Sequence, residues 1–529
     1  MRQPWLYLII VISSLVFKVV TVDQGFFWRD EIYTIDQTSG RVVFNRCTTE
    51  PLNEIKPIAY YKQLLRINEL PITVGSQLKE QSKDTNLNPL HYSFLTFWHR
   101  LVGDEPVHYR YFSILMFLLC LPVLFLLIKH LFRSNVAAWL VISLFSVSPY
   151  FHYYALEARY NMLLALLLIS SHYVLLLAIE QNKLKHWGVY ILTGVMVLYT
   201  SLTAGVVLFG HFLFVMLFKK KIRKQYVLAG MVIVLCYLPW FIAIIHSRGQ
   251  ISNVLSWHIA LKPENSSQFR VFIFQLLAIG GSFVKISLFA DWVSFFVGGN
   301  LHLANLLQLI ASIFVLLVLV YSIIFLSKNL SKDRFWFIAL ITFPLLLFFF
   351  VVDLFRGSVS SCIERYQLAT YLGTLLFVSG LLIRKISEKR MAYILLYLLF
   401  VVFGIYSISN IAADKHGLSI GGKLRIVSTA DFISEAESPL IITSGDQFWG
   451  DRFSLINELE SESIDILSLS EDAEIDTETI SAHGYSNVYI LMVSSPLKTS
   501  LETQFGNKMV KLENSSIIPT WELHLNADH

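Results

Sequence analysis

The sequence predicts a mainly α-helical membrane protein that carries a small α/β domain near its C-terminal end. Three observations lead to this fold class. Of the 529 residues 55% are hydrophobic and only 15% are charged, long apolar runs recur as far as residue 409, and the composition changes abruptly after residue 410. A water-soluble protein of this length would need more charge to cover its surface. We therefore expect a polytopic membrane protein.

Eleven apolar runs have the length that a transmembrane helix needs, so the fold should resemble a bundle of about eleven spans. The runs cover residues 5–22, 112–128, 135–151, 162–180, 187–201, 203–218, 226–245, 302–326, 335–352, 366–383 and 391–409. A further apolar segment, 269–289, would invert every later loop if it crossed the membrane. We expect this segment to be re-entrant or to lie along the interface.

Basic residues cluster in alternate connections between these runs. The clusters are Lys129 with Arg133, Lys183 with Lys185, the run Lys219–Lys224, Lys328 with Lys332 and Arg334, and Arg384-Lys385 with Lys389 and Arg390. The positive-inside rule places all of them and the N-terminus in the cytoplasm. The protein is therefore expected in the plasma (inner) membrane, with loop 23–111 and the C-terminus on the extracytoplasmic side.

Two domains are predicted from the change in composition. Residues 1–410 form the transmembrane domain, and residues 411–529, rich in Ser, Asp and Glu, form a small extracytoplasmic α/β domain. Short apolar runs at 440–443, 464–467 and 488–493 alternate with helix-like stretches such as 452–459. This domain has no Gly-rich phosphate loop, no Cys/His metal spacing and no catalytic Ser motif, so its chemistry cannot be predicted.

The adjacent acids Asp30 and Glu31 follow the first apolar run, within the aromatic-rich segment Phe26–Thr34. Aromatic rings favour the depth of the membrane surface, whereas carboxylates lose hydration there and need a partner or a function. One interpretation is a solvated turn after a helix, and the other is a functional acidic pair. Both interpretations stay open from this segment alone.

Further motifs follow, most of them in the extracytoplasmic loops, and their order carries a resemblance. The set is Asp30-Glu31, the proline-aromatic box Asn88–Tyr92, Gly103-Asp104-Glu105 with Arg110, the segment Tyr153–Tyr160, Leu238-Pro239-Trp240, and Glu364-Arg365-Tyr366. Together they resemble the GT-C superfamily of membrane glycosyltransferases, in the branch of protein O-mannosyltransferases and bacterial aminoarabinose transferases. The box departs from the family pattern, because Asn88 stands where a first proline is usual.

The resemblance implies transfer of a sugar from a polyprenyl-phosphate donor, with inversion at the anomeric carbon, to a glycolipid, polysaccharide or protein of the cell envelope. It implies that Asp30 is the base, and that Glu31 orients the acceptor or tunes Asp30. The other candidate residues would bind substrate: Glu157, Arg159, Tyr160, Arg365, Tyr366, His91, Tyr92 and Arg110. No nucleic-acid partner is expected.

The residue types fit these roles on chemical grounds. Apolar burial would raise the basicity of Asp30, and a guanidinium offers a phosphate a fixed fork of donors. No cofactor is certain; Asp30 and Glu31, with Asp104-Glu105 as a second cluster, are of a type that binds a divalent cation. Structural alternatives also stay open: interfacial arginines reach lipid headgroups, Glu157 and Glu364 pair with arginines, and His91 packs at the interface.

Two other functions compete with the transferase. A transporter or flippase of lipid-linked sugars predicts charges buried mid-span and two related halves with broken helices. Only Lys18 approaches that pattern in the sequence, and no internal repeat is present. The second alternative is a catalytically silent membrane scaffold for the α/β domain.

Overall fold

The structure is a computed structural model that describes residues 4–39, 50–66, 73–83, 85, 87–247, 267–286, 303–413, 422–445, 448–475, 480, 483–485, 487–514 and 517–524. Contacts between its residues define two compact units. We call Met1–Val22, Ser82–Phe94 and Arg110–Ala413 the membrane unit, and Asp23–Gln81, Leu95–Tyr109 and Asp414–His529 the α/β unit. The domain boundary at residue 410 stays a prediction.

Most of the described residues are helical. In chain order the helices are α1 (Pro4–Thr21), α2 (Arg29–Thr38), α3 (Ile58–Leu64), α4 (Val74–Gln81), α5 (Leu90–Val102), α6 (Pro106–Phe132), α7 (Asn135–Val147), α8 (Pro149–Ala155), α9 (Asn161–Gln181), α10 (Leu184–Thr200), α11 (Gly205–Phe218), α12 (Arg223–His246), α13 (Gln268–Gly281), α14 (Leu303–Asn329), α15 (Lys332–Arg356), α16 (Leu368–Ser387), α17 (Met391–Ala413), α18 (Gly422–Ser434), α19 (Trp449–Glu458) and α20 (Ser495–Phe505).

Each of the eleven predicted apolar runs forms helix, which confirms the fold class of a polytopic helical protein. Among the described residues, eight helices are long and apolar enough to cross a membrane, and the bent pair α7–α8 makes nine. The difference from eleven comes from α10 and α11, of 17 and 14 residues. At about 1.5 Å per residue, neither alone covers a hydrocarbon core of about 30 Å.

The expected re-entrant segment begins with α13, which has only 14 residues and is therefore too short to cross a membrane alone. Gly280 of this helix lies so close to α14 that an added Cβ would be 2.5 Å from Ser312 Cα. Residues 287–289 of the expected segment lie outside the described residues. Whether the segment re-enters the membrane stays a prediction.

A sharp bend separates α7 from α8, which meet at 65°. Pro149 at the start of α8 has no N–H, so the helical ladder cannot continue through it. The Ser146 carbonyl accepts hydrogen bonds from Ser14 Oγ at 2.6 Å and from the fully buried Lys18 Nζ at 3.0 Å. The mid-span lysine thus has a structural role at a bent helix.

A chain of polar side chains links four helices of the membrane unit. His172 of α9 bonds His211 of α11 at 2.8 Å, and His211 bonds the Tyr190 hydroxyl of α10 at 3.1 Å. Tyr190 then donates to the Tyr226 hydroxyl of α12 at 3.1 Å. Because each polar atom in an apolar surrounding needs a partner, this chain ties α9, α10, α11 and α12 together.

The α/β unit contains one described sheet of six strands. They are β1 (Ile55–Pro57), β2 (Pro439–Ser444), β3 (Asp465–Leu469), β4 (Asn487–Leu491), β5 (Met509–Lys511) and β6 (Thr520–Leu523), in the order β1-β3-β2-β4-β6-β5. β2 pairs in parallel with both β3 and β4, whereas β1 and β6 join antiparallel. The three predicted apolar runs are thus the three parallel strands. β1 comes from the long loop after α1.

A fully buried ion pair joins the same loop to the sheet. Arg452 Nη2 lies 2.6 Å from Glu50 Oε2, and Arg452 Nη1 donates to the Ser444 carbonyl at the end of β2, at 2.7 Å. The hydroxyl of Ser468 on β3 donates to the same carboxylate. Losing either charge would leave the other one buried and uncompensated, which is strongly destabilising. This pair therefore fixes the loop next to the parallel strands.

Candidate active site

The acidic pair lies in the first turn of α2, in the α/β unit. Trp28 precedes this helix in extended conformation, and its N–H donates to Glu31 Oε2 at 3.3 Å. Glu31 is buried, and Asp30 is half-buried. Carboxylates in the first turn interact favourably with the positive end of the helix dipole. The pair is therefore part of a capped helix, and Glu31 helps to form the cap.

Asp451 is a third carboxylate close to the acidic pair, and it was not among the residues predicted from the sequence. Its Oδ2 lies 3.3 Å from Nη1 of Arg29, the residue before Asp30. Burial raises the pKa of Asp451, the charge of Arg29 lowers it, and the charge of Asp30 raises it further. No local pattern links residues 29 and 451, so only the fold could identify this carboxylate.

Glu157, Arg159 and Tyr160 lie together in the membrane unit, in the short segment between α8 and α9. Glu157 and Arg159 are each 5% exposed. Glu157 accepts from Asn161 Nδ2 at 3.3 Å, and its backbone carbonyl accepts from Ser113 Oγ at 2.6 Å. The Arg159 guanidinium lies over the Tyr160 ring, 5.6 Å from the centroid. A buried, oriented guanidinium suits an anionic ligand.

A cleft in the membrane unit brings Tyr160 together with Arg365 and Tyr366. The cleft is narrow and opens to solvent. Arg365 lies over the Tyr366 ring at 5.5 Å, and the Phe349 ring stacks on Tyr366 at 5.4 Å. The lining residues are Tyr160, Leu164, Leu168, Ser201, Thr203, Ala204, Val207, Leu345, Arg365, Tyr366, Leu368 and Ala369. A cation at an apolar cleft fits a lipid with an anionic head.

Lys285 is a further cation of the membrane unit that the sequence analysis missed. The side chain is 9% exposed, and Nζ lies 3.6 Å from Glu364 Oε1. The Glu364 carbonyl also accepts from the Tyr150 hydroxyl at 3.2 Å. The signal that could have identified Lys285 is a lysine fifteen residues after Arg270 in the mainly apolar segment 269–289. Glu364 thus has a cation partner from another part of the chain.

The turn before Glu364 is held by Asp353, which the sequence analysis also missed. This carboxylate is 2% exposed and accepts from the backbone N–H groups of Ser360 at 2.8 Å and Ser361 at 2.7 Å. The Ser358 hydroxyl donates to it as well. The turn leads directly into Glu364 and Arg365. By holding the turn, Asp353 therefore helps to fix the backbone position of Arg365.

The proline-aromatic box contains two candidate residues that are both buried, His91 and Tyr92. His91 is 1% exposed and packs against the Tyr92 ring at 5.3 Å and the Phe112 ring at 5.6 Å. Neither ring nitrogen of His91 has a hydrogen-bond partner among the described residues. Burial lowers the pKa of His91 to about 3, and the positive charge of Arg159 contributes to the lowering. His91 is therefore a neutral residue near the arginine.

Asn88 and Arg110 have contacts that explain their positions. The Asn88 side-chain oxygen accepts from the Tyr237 hydroxyl at 3.2 Å and from Trp240 Nε1 at 3.1 Å. The box thus joins the later Leu-Pro-Trp motif through the residue that departs from the family pattern. Arg110 is buried and donates to the Val22 carbonyl at 3.0 Å. This contact caps the end of α1.

A metal site of three ligands is not formed by the described residues. Among them, no group of three or more His, Cys, Asp or Glu side chains could hold a metal ion. Asp104 lies 3.9 Å from Arg66 Nη1, and Glu105 pairs with the same guanidinium. A cation partner thus accounts for this second acidic cluster.

The candidate residues therefore form two groups. Tyr160, Arg365 and Tyr366 share one cleft in the membrane unit, and Arg159 with Glu157 precedes Tyr160 directly. Asp30 and Glu31 belong to the α/β unit.

Comparison with known proteins identifies one family over part of the chain. Residues 86–242 match the family described as dolichyl-phosphate-mannose-protein mannosyltransferase. This confirms the resemblance to GT-C membrane glycosyltransferases that the motifs indicated. No curated protein matches the chain.

Two solved structures are similar to this chain along their whole length. The crystal structure of ArnT from Cupriavidus metallidurans in the apo state is 13% identical, with a TM-score of 0.43, over 98% of this chain and 97% of that one. The structure of the same protein bound to undecaprenyl phosphate is also 13% identical, with a TM-score of 0.42, over 99% and 98% of the two chains.

Proposed function

We propose that this protein is a membrane glycosyltransferase that moves a sugar from a polyprenyl-phosphate donor to an acceptor. The observation that carries this proposal is the match of residues 86–242 to a mannosyltransferase family. That segment contains the buried Glu157 and Arg159 and the half-buried Tyr160, which also lines the cleft with Arg365. The acceptor is a glycolipid, a polysaccharide or a protein, and the sugar is a hexose or a pentose.

The proposed donor site uses the two arginines. As the bond to the anomeric carbon breaks, negative charge grows on the departing phosphate, and guanidinium groups that are already oriented stabilise that charge. Arg365 and Arg159 are each held over a tyrosine ring, which limits their rotation before the donor binds. Apolar residues along the cleft would contact the first isoprenoid units.

The proposed base is Asp30, which takes the acceptor's proton while the acceptor oxygen attacks the anomeric carbon. A single displacement of this kind inverts the configuration at that carbon. Glu31 supports Asp30 through the cap of α2 and by orienting the acceptor. The base and the phosphate cations need no bound cofactor in this scheme.

We propose an extracytoplasmic reaction in the plasma (inner) membrane, since the basic connections follow the positive-inside rule. The exposed Ser387 lies in a basic connection and the exposed Ser495 in the α/β unit. In a variant without native cysteines, an impermeant maleimide added to intact cells should label Ser495→Cys and leave Ser387→Cys unlabelled. The reverse pattern would contradict the proposed side of the membrane.

Product analysis tests the proposal. Purified protein in lipid nanodiscs is incubated with radiolabelled polyprenyl-phosphate mannose or polyprenyl-phosphate aminoarabinose and a membrane extract as the source of acceptor. We expect label in a new product and release of polyprenyl phosphate, both lost in Asp30→Asn. Absence of cleavage with either donor would contradict the proposed activity.

The transporter alternative has a test of its own. Lys18, the residue that favours it, is bonded to Ser14 and to the Ser146 carbonyl at the bend of α7 and α8, so a structural role accounts for its charge. In sealed proteoliposomes a transporter would move the labelled donor across the bilayer without cleaving it. A silent scaffold would do neither.

A further inference from the structure

The first turn of α19 contacts the helix that carries Asp30. Asp451 pairs with Arg29 at 3.3 Å, and Trp449 Nε1 donates to Asp36 Oδ2 at 2.8 Å. At the other end of α19, Glu458 Oε1 accepts from the Phe27 N–H at 3.3 Å. These three contacts reach α2 and the segment before it on both sides of the acidic pair in sequence. Together they fix the orientation of α2.

Gly450 allows the two helices to approach this closely. A Cβ at this position would overlap Cγ of Arg29 and would lie 3.1 Å from Cζ of Tyr33. Cγ lies near the backbone of Arg29, and Tyr33 is a rigid ring, so neither atom could move away at little cost. Any side chain larger than hydrogen would therefore displace α2.

The contact between α19 and α2 lies next to the region of the sheet where ligands bind in many α/β proteins. α19 follows β2, which lies between its parallel neighbours β3 and β4. In open α/β sheets, ligands usually bind at the carboxyl ends of the strands where the order reverses. Here Glu50 and its partner Arg452 lie at the ends of β2 and β3, and an added Cβ at Gly445 would overlap Leu52. Residues of the loop after α1, such as Glu50 and Leu52, thus occupy part of the space at the carboxyl ends of β2 and β3.

We propose that α19 holds α2, the helix that carries the proposed base Asp30, in its working orientation. Gly450 and Asp451 are then positioning residues for Asp30. This inference rests on the proposed function, because it needs Asp30 to be the base. The role of α19, in the C-terminal part of the chain, would be to position the base. The residues that would bind the donor phosphate belong to the membrane unit, so a displaced α2 should affect turnover and leave donor affinity unchanged.

The charges around α2 support the same role. Arg29 lies next to Asp451, whose pKa is raised mainly by burial and further by the charge of Asp30. Arg29 thus counters the repulsion between the two carboxylates. Removing the charge of Asp451 would free Arg29 to turn toward Asp30, which would weaken the base.

The experiment compares variants of α19 with matched controls. Gly450→Ala and Asp451→Asn should lower kcat by about 10- to 100-fold, the loss that a displacement of about 1 Å can cause, with an unchanged KM for the labelled donor. Asp451→Glu, which keeps the charge, should recover part of the loss. Gly75→Ala is the matched control in the same unit, since its Cβ would meet only Thr73 Oγ1 at 3.8 Å. Glu502→Gln, in the surface pair with Lys498, controls for loss of an acidic charge.

The outcomes separate this inference from the proposed function. Wild-type kcat in both Gly450→Ala and Asp451→Asn, with Asp30→Asn inactive, would overturn the positioning role and leave the proposed function standing. An active Asp30→Asn variant would instead remove the proposed base. If Gly450→Ala fails to fold, Trp449→Phe replaces it, because it removes the N–H that reaches Asp36. A wild-type kcat in Trp449→Phe and Asp451→Asn would equally contradict the inference.

Discussion

The arginines and the acidic pair are held in different ways. Arg159 and Arg365 each precede a tyrosine in sequence, and each guanidinium lies over the ring of that tyrosine. The helix of Asp30 is instead held by residues such as Asp451, which is 422 positions from Arg29. Each of the proposed phosphate-binding arginines thus contacts the next residue in sequence, whereas the acidic helix depends on segments from distant parts of the chain.

The largest test of this comparison is Asp30→Asn. The amide keeps the shape of the side chain but cannot accept a proton as a base, so turnover should fall by about 10²- to 10⁴-fold. Donor binding should persist, because the arginines are unchanged. Turnover is measured with the labelled donor, and binding is measured by equilibrium dialysis of the same donor.

Glu31→Gln is the companion variant for Asp30→Asn. The side-chain oxygen of the new amide could still accept from the Trp28 N–H, so the loss of turnover should be smaller. An equal loss that EDTA reproduces in the wild type would indicate a metal shared by the pair. Wild-type turnover in Asp30→Asn would show that Asp30 is not the base and that the pair only stabilises the first turn of α2.

The second test changes the arginines. Arg365→Lys keeps the charge and loses the fork of donors, so donor affinity should fall by about 1.5–3 kcal/mol, equivalent to about one to two powers of ten. Arg159→Lys should act in the same direction. The readouts are kcat and the KM for the donor at saturating acceptor. Wild-type values of both in both variants would remove the proposed phosphate site.

The third test asks whether Asp353 acts through Arg365. In Asp353→Asn one side-chain oxygen can still accept from a backbone N–H group. The amide NH₂ that replaces the second oxygen is a donor and would face the second backbone N–H group, so the turn before Glu364 should shift. We expect about a tenfold rise in donor KM, the effect of losing roughly one hydrogen bond to a charged group. In the double variant with Arg365→Lys the two losses should not add. Additive losses would mean that Asp353 acts independently of the arginine.

The smallest expected effect concerns acid pH and His91. Its pKa in the folded protein, about 3, lies below the ordinary value of 6.5, because burial disfavours the charged ring. Near pH 6 the unfolded chain takes up a proton and the folded protein does not, so stability falls as the pH drops below about 6.5. The cost is about 0.8 kcal/mol near pH 6 and grows toward lower pH.

Thermal unfolding of the protein in detergent, at several values of pH, measures this dependence. The slope of unfolding temperature against pH should be shallower in His91→Gln, whatever the stability of that variant at neutral pH. An equal slope in both proteins would show that His91 is accessible to protons in the folded state.

The sequence predicted the helices and the parallel strands because each is recorded in a local pattern. Apolar runs identified the spans, and the tyrosine beside each arginine identified residues that share a cleft, as Tyr160, Arg365 and Tyr366 do. Asp353, Lys285 and Asp451 could not be predicted in this way. The partners of Lys285 and Asp451 lie in other segments, whereas those of Asp353 lie in the turn that follows it. A single acid or lysine has no periodicity that would reveal either kind of contact.

The number of spans shows another limit of local patterns. The runs at 187–201 and 203–218 are apolar enough to cross a membrane, but the helices they form are short and meet at a tight turn near Leu202. Hydropathy reports the environment of a segment, while its length as a helix depends on where the backbone turns. The roles of Asp30 and Glu31 stay predictions until turnover is measured.

The pairing of β1 with β3 has a consequence for the order of synthesis. Ile55 pairs with Leu467, and Glu50 bonds Ser468, which is 418 residues later. While the ribosome is still making the membrane helices, the loop that carries the acidic pair has no strand to join. Such distant contacts also form slowly. A nascent or truncated chain that lacks β3 would therefore insert its helices with an incomplete acidic loop, and the contacts of that loop with the sheet could form only after β3 has been synthesised.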